Sequence, residues 1–195
     1  MYISMNSTIL VGNACIFKNK NLGKTIDQYH NVVRFNNFKL DNFTSDLGSK
    51  TTTVFYNHPV FISNDTVLDN SKYIILYNSR PKTCGKHVFN KKIKYNINES
   101  KFAILNFYDK SISKFYAKLQ YPRHQLFSTG FLAIVFHLFI LNYSSITIAN
   151  FDFQSHPNNV EYFNKHASIS KLHSWSTEKK YVYLWHSKGL IHFLH

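Results

Sequence analysis

Two short runs decide the fold: Thr8-Ile9-Leu10-Val11, closing on Gly12-Asn13, and Asn31-Val32-Val33-Arg34-Phe35, closing on Asn36. Neither alternates apolar with polar residues as a strand with one wet face does. Both therefore read as strands covered on two faces, as in a parallel sheet. Each ends on an asparagine, whose amide carries both a donor and an acceptor suited to phosphate or ribose. Gly12 ahead of Asn13 permits a tight turn and a close backbone approach. Further strand-like runs follow at 51–56, 73–77, 102–107 and 146–149, with helical patterns at 109–120, 129–141 and roughly 176–187. That alternation predicts an α/β/α sandwich with a mainly parallel sheet. In such sheets the ligand crevice lies beyond the carboxyl ends of the strands, so chemistry is sought in the loops that follow them.

The chain of 195 residues, 44% apolar and 17% aromatic, can bury one sizeable core, and 1–195 reads as a single domain. Six Gly and four Pro are scattered and mark no linker. The opening MYISMNSTILVGN has no basic n-region, and the longest apolar run, Phe131 to Leu141, is interrupted by His137. That run is far short of the ~20 residues a bilayer span requires and reads as a buried helix. Cys15 and Cys84 are the only cysteines and form no C-x-x-C or metal-type spacing. A reducing, cytoplasmic location is the expectation, with both thiols unpaired.

Lys and Arg outnumber Asp and Glu by 23 to 10, a net charge of +13. Such a field concentrates anions, whether nucleic acid, acidic lipid or a nucleotide-linked acidic sugar. An AT-rich genome enriches Lys, Asn, Ile, Tyr and Phe without functional meaning, so charge alone selects no partner. Two familiar nucleotide signatures are excluded. Leu22-Gly23-Lys24-Thr25 looks like the end of a P-loop, but Lys18 stands where its first glycine belongs. No G-x-G-x-x-G follows the first strand, since Asn13 leads into Ala14.

Taken together the pieces resemble the sialyltransferases. Ile9 to Thr52 resembles the large donor-binding motif of the animal-type enzymes, with Val11-Gly12-Asn13, then Gly23 to Asp27 as G-x-x-I-D. Val32 to Asn36 follows as V-x-R-x-N, and Asp46 to Thr52 as D-x-G-x-x-T-T. Ser128-Thr129-Gly130-Phe131-Leu132 resembles the small motif, and His173-Ser-Trp-Ser-Thr-Glu178 the terminal H-x-x-x-x-E. Tyr56-Asn57 is similar to the F-Y-N of the smaller bacterial enzymes. The resemblance implies a variant nucleotide-sugar glycosyltransferase fold, GT-A-like and Rossmann-like. It also implies inverting transfer of sialic acid, or a related nonulosonic acid, from a CMP-sugar to a glycan, glycolipid or lipopolysaccharide hydroxyl.

On that resemblance the donor is expected to meet Gly12, Asn13, Asn36, Asn57, Ser128, Thr129, Gly130 and Tyr162. Ser128 to Gly130 open a helix, whose free N–H groups and dipole favour an anion, and Thr129 is a candidate N-cap. His173 is expected to be the base that takes the acceptor proton, imidazole being suited to that near neutrality. Glu178 is expected to be mainly structural. No metal and no cofactor is expected: there is no D-x-D triplet, and His156, His166 and His173 are scattered. The sequence departs from the animal pattern where Thr8 replaces the first disulfide cysteine. It departs again where Glu161-Tyr162-Phe163 stands for the third motif's His-Tyr pair. That loss keeps a degenerate, CMP-binding homologue as one rival. A basic nucleic-acid-binding module is the other, although no RNP, KH or zinc-finger pattern appears and no nucleic-acid partner is expected. The basic surface is expected to meet an anionic membrane without spanning it.

Overall fold

The computed structural model describes residues 7–57, 60–61, 73–78, 99–106, 110–122, 124–153, 161–162 and 171–195. Seven strands form one sheet: β1 Thr8–Val11, β2 Asn31–Phe35, β3 Thr53–Asn57, β4 Tyr73–Asn78, β5 Phe102–Asn106, β6 Ile146–Ala149 and β7 Ile191–Phe193. Their order is β5-β4-β3-β2-β1-β6-β7, and each of the six pairings is parallel. The chain thus winds outward from β1 to β5, then returns to add β6 and β7 on the other side of β1. The junction between β1 and β6 is the topological switch point, where an open α/β sheet leaves its crevice.

Five α-helices are described: α1 Gly23–Asp27, α2 Thr44–Leu47, α3 Lys110–Lys118, α4 Thr129–Val135 and α5 Trp175–Ser187. The two faces of β1 go to different cores, which is why its four residues are all apolar or β-branched. Leu10 joins Val33, Phe55 and the α4 and α5 residues Phe131, Val182 and Trp185 on one face. Ile9 and Val11 join Ile26 of α1, Leu47 near the end of α2, and Val32 on the other. The expected α/β sandwich is the fold observed.

The boundaries differ for local reasons. The third strand begins at Thr53 rather than at 51. Thr51 and Thr52 are spent on lateral ties, Arg34 Nε donating to Thr51 Oγ1 (3.1 Å) and Val32 N–H to Thr52 Oγ1 (2.8 Å). The helix expected over 129–141 changes pitch at Phe136, continuing as a π-helical turn, Phe136–Ile140. There the buried His137 ring lies with Nδ1 2.7 Å from Ala133 O, competing for the carbonyl an α-helical turn would use, and Leu141 N–H donates instead to Phe136 O (2.9 Å). α1, α2 and β7 have five, four and three residues, too short for periodicity to mark.

Candidate functional site

At the switch point β1 and β6 approach as closely as their backbones allow. Gly12 N–H donates to Ala149 O (2.8 Å), and a Cβ on Gly12 would lie 2.5 Å from Asn150 O. Only glycine fits there. Asn150 is buried with φ +59° and clamps the junction with both ends of its amide. Its Nδ2 donates to Gly12 O (3.0 Å), and its Oδ1 accepts Phe17 N–H (3.2 Å). Sequence reading missed this residue, although an asparagine directly after the run Ile146–Ala149 was the available signal.

Three of the expected donor contacts form a row across the carboxyl ends of adjoining strands. Asn13 Nδ2 donates to Phe35 O (3.2 Å), Asn57 N–H donates to Asn36 Oδ1 (2.9 Å), and Val60 N–H donates to Asn57 Oδ1 (3.0 Å). Asn36 adopts φ +50°, which asparagine tolerates better than most residues. Among the described residues no hydrogen bond engages Asn13 Oδ1 or Asn36 Nδ2, so each amide keeps one polar end for a ligand. Tyr162 joins the row from another loop, its N–H donating to Asn13 O (3.0 Å). Its hydroxyl donates to Lys39 O (2.5 Å) and accepts Lys39 N–H (3.0 Å). Burial pushes that phenol up to about 12. Tyr162 therefore sits where a donor contact was expected, with its hydroxyl already holding the loop after β2.

The rest of the large motif braces this edge. The Arg34 side chain is buried, with Nε and Nη2 donating to carbonyls of Leu47, Gly48 and Lys50, and burial lowers its pKa to about 10. Asp27 accepts from Ser49 N–H (2.9 Å), Ser49 Oγ (3.0 Å) and Lys50 N–H (2.8 Å). Gly23 packs so tightly on Thr44 O that no side chain fits. These residues hold loops.

Helix α4 begins at the same end of the sheet. Its cap is Ser128, not Thr129: Ser128 has φ −62° and ψ 155°, and its Oγ accepts Phe131 N–H (3.1 Å). Thr129 follows as a buried first helical residue. Gly130 packs under Phe151, whose ring would lie 2.7 Å from an added Cβ and would have to shift to admit one. That ring also meets Phe35 edge-on at 5.8 Å, so Phe151 joins the asparagine row to the start of α4.

Glu178 of α5 and His173, just ahead of that helix, reach this corner. Glu178 is fully buried and accepts three hydrogen bonds, from Ser128 N–H (2.7 Å), Ser128 Oγ (2.7 Å) and Tyr121 Oη (2.8 Å). Burial raises its pKa to about 7 against the pull of those donors. Tyr121 Oη also accepts Ser174 N–H (2.8 Å), beside His173. Sequence reading missed Tyr121, which nothing local marks. His173 Nδ1 lies 2.8 Å from Leu126 O. A carbonyl only accepts, so Nδ1 carries the hydrogen and Nε2 is the basic nitrogen of the neutral ring. Burial lowers the imidazole pKa, with the Leu126 carbonyl opposing. Gln125 Nε2 donates to His173 O (3.1 Å), and Leu126 N–H to Leu172 O (2.8 Å). The histidine is therefore fastened to the loop that leads into Ser128.

Among the described residues no three His, Cys, Asp or Glu side chains are grouped to hold a metal ion, and no helix is long and apolar enough to cross a membrane. His156, His166 and Cys84 lie outside the described residues. A cavity of about 920 Å³ is at the opposite end of the sheet, lined by Thr8, Asn31, Thr53 and His137 among others. The motif residues and the switch point lie at the carboxyl end, and size does not outweigh them.

The family model for glycosyltransferase family 29 (sialyltransferase) matches residues 3–190. The chain is similar to the type 2 lactosamine alpha-2,3-sialyltransferase of Mus musculus, 27% identical over 193 residues, covering 84% of this chain and 56% of that protein. It is 50% identical over 44 residues to the human CMP-N-acetylneuraminate-beta-1,4-galactoside alpha-2,3-sialyltransferase, covering 23% of this chain and 12% of the relative. The chain thus spans about half the length of the first relative and far less of the second. In fold it is similar to a mammalian sialyltransferase crystallised with Gal-beta-1-3GalNAc-ortho-nitrophenol, at a TM-score of 0.73 and 22% identity, covering 97% of this chain and 69% of that one.

Proposed function

The chain belongs to glycosyltransferase family 29, the sialyltransferases, and on that premise we propose that it moves sialic acid, or a related nonulosonic acid, from a CMP donor to a glycan hydroxyl. Transfer is by direct, inverting displacement without a metal. The observation that best supports this is the setting of His173, whose Nδ1–H is spent on Leu126 O and whose Nε2 is the nitrogen able to take a proton. Asn36 Nδ2 donates to the cytidine phosphate, and Asn13 Oδ1 accepts a ribose hydroxyl, these being the amide groups that their protein partners leave over. Thr129 and Gly130 offer the N–H groups of the helix start to an anion, Ser128 N–H and Phe131 N–H being already committed. As the acceptor oxygen attacks the anomeric carbon, His173 takes its proton and CMP departs toward those donors. The net charge of +13 supports work on a glycolipid or lipopolysaccharide at an anionic surface.

Three measurements test the reading. Calorimetric titration should give tighter binding of CMP than of UMP, AMP or GMP; equal binding of all four would sink it. His173→Ala should keep CMP affinity, because the base acts on the acceptor, while transfer falls about 10²–10⁴-fold. The wild-type rate should also fall on the acid side, below the ordinary imidazole pKa because burial lowers it, and that limb should vanish in the variant. A folded His173→Ala protein that transfers at near wild-type rate would remove the assignment. CMP binding without any transfer by the wild type would leave the degenerate homologue.

A further inference from the structure

A second concavity of about 470 Å³ opens beside the crevice, at the carboxyl ends of β6 and β7. It shares Asn150 and Phe151 with the switch point, but Asn13, Asn36, Ser128 and His173 do not line it. One wall is aromatic: Tyr183 of α5 lies 5.4 Å from Phe193 between ring centroids, and His186 meets Phe193 edge-on at 4.8 Å. At its mouth Ile16 and Tyr183 remain 40% and 51% exposed. Large apolar side chains exposed singly have no special meaning, but several converging on a concave wall of this volume make a ligand site. Lys20 lines it and, among the described residues, no aspartate or glutamate does.

We infer that this cavity is an acceptor subsite holding the apolar aglycone of a glycolipid-type acceptor, uncharged or anionic, while its terminal sugar lies at His173. The inference rests on the sialyl-transfer reading, which supplies an acceptor for the cavity to hold. Continuity selects this occupant, because Phe151 borders both the cavity and the start of α4. Reach permits it: Tyr183 lies eight residues past Trp175 on α5, about 12 Å along the helix that begins just beyond His173. Lys20 disfavours a cationic tail and accommodates a neutral or acidic one.

The test is calorimetric binding of methyl β-galactoside and octyl β-galactoside to the full chain with CMP present, the octyl compound kept below its micellar concentration. The wild type is expected to bind the octyl galactoside about ten-fold tighter or more, a ratio that burying roughly two methylenes supplies. Tyr183→Asn and Ile16→Asn replace exposed side chains, so the core is untouched. Each is expected to bring that ratio close to one with CMP affinity unchanged. Equal binding of the two galactosides by the wild type overturns the inference, as does a preference that survives both substitutions. Failure of the wild type to bind CMP overturns the sialyl-transfer reading instead. An octyl preference lost in Tyr183→Asn would then leave an apolar site with no acceptor role, which also overturns the inference.

Discussion

Glu178 is a carboxylate with no exposed surface and no cation beside it among its bonded partners, which are Ser128 and Tyr121. Its pKa near 7 lies above the ordinary value of 4.5, so the folded state binds more protons than the unfolded state between those values. The stability this group contributes is full below about pH 4.5 and declines as pH rises to about 7. Glu178→Gln keeps an oxygen for Ser128 N–H and Tyr121 Oη and gives Ser128 Oγ a donor. We expect it to fold with a melting temperature near wild type and to flatten that slope, as thermal unfolding from pH 4.5 to 7.5 would record. Glu178→Ala strands the buried Ser128 N–H and should cost about 3 kcal/mol or more. An alanine variant as stable as the glutamine variant would show that the bonds contribute nothing. His173 and Glu178 were legible as a spaced pair of the right residue types. Tyr121 was not, because its partner lies 57 residues away; Asn150 was marked only by its place after a strand run, its partner lying 138 residues away.

At the scale of elements, the start of each loop is governed by what the neighbouring strand or ring leaves open. Gly12 faces the backbone oxygen of Asn150, which cannot move without parting β1 from β6, whereas Gly130 faces the outer atoms of the Phe151 ring, which can tilt. Gly12→Ala should therefore destabilise by about 1–3 kcal/mol and weaken CMP binding. Gly130→Ala should cost less in stability. Denaturant unfolding of the two would test the ranking, and the reverse order would contradict this account of the junction. The long strand runs were legible because burial on both faces removes polar residues from them. The π-helical turn at Phe136 was not, because it arises from one side chain, His137, lying against a carbonyl within its own helix. Nor were α1 and α2, which are held by Arg34, Asp27 and the close approach at Gly23 rather than by their own pattern.

For the molecule as a whole, the parallel character of the sheet was legible in its continuous apolar strands, but the return of the chain from β5 to β6 was not. That return places Gly12, Asn13 and Asn150 at one junction and so defines the crevice. On the proposed reading the crevice would meet the donor's anion with amides and a helix start, and the sequence contains no D-x-D. CMP affinity and transfer are expected to survive excess EDTA. Loss of either, restored by magnesium or manganese, would overturn the metal-free reading.

The β1–β6 junction also has a consequence for how the protein is made. A ribosome delivers Gly12 long before Asn150, 138 residues later, and until then one edge of β1 has no partner. An unpaired apolar edge invites pairing with other nascent chains. Parallel pairing across so long a separation is also slow to form. Synthesis halted before Ile146 should therefore yield a chain that aggregates or is retained by chaperones. Release should begin once residues 146–149 have cleared the exit tunnel and covered β1, and be complete when 191–193 add β7 to the edge of β6.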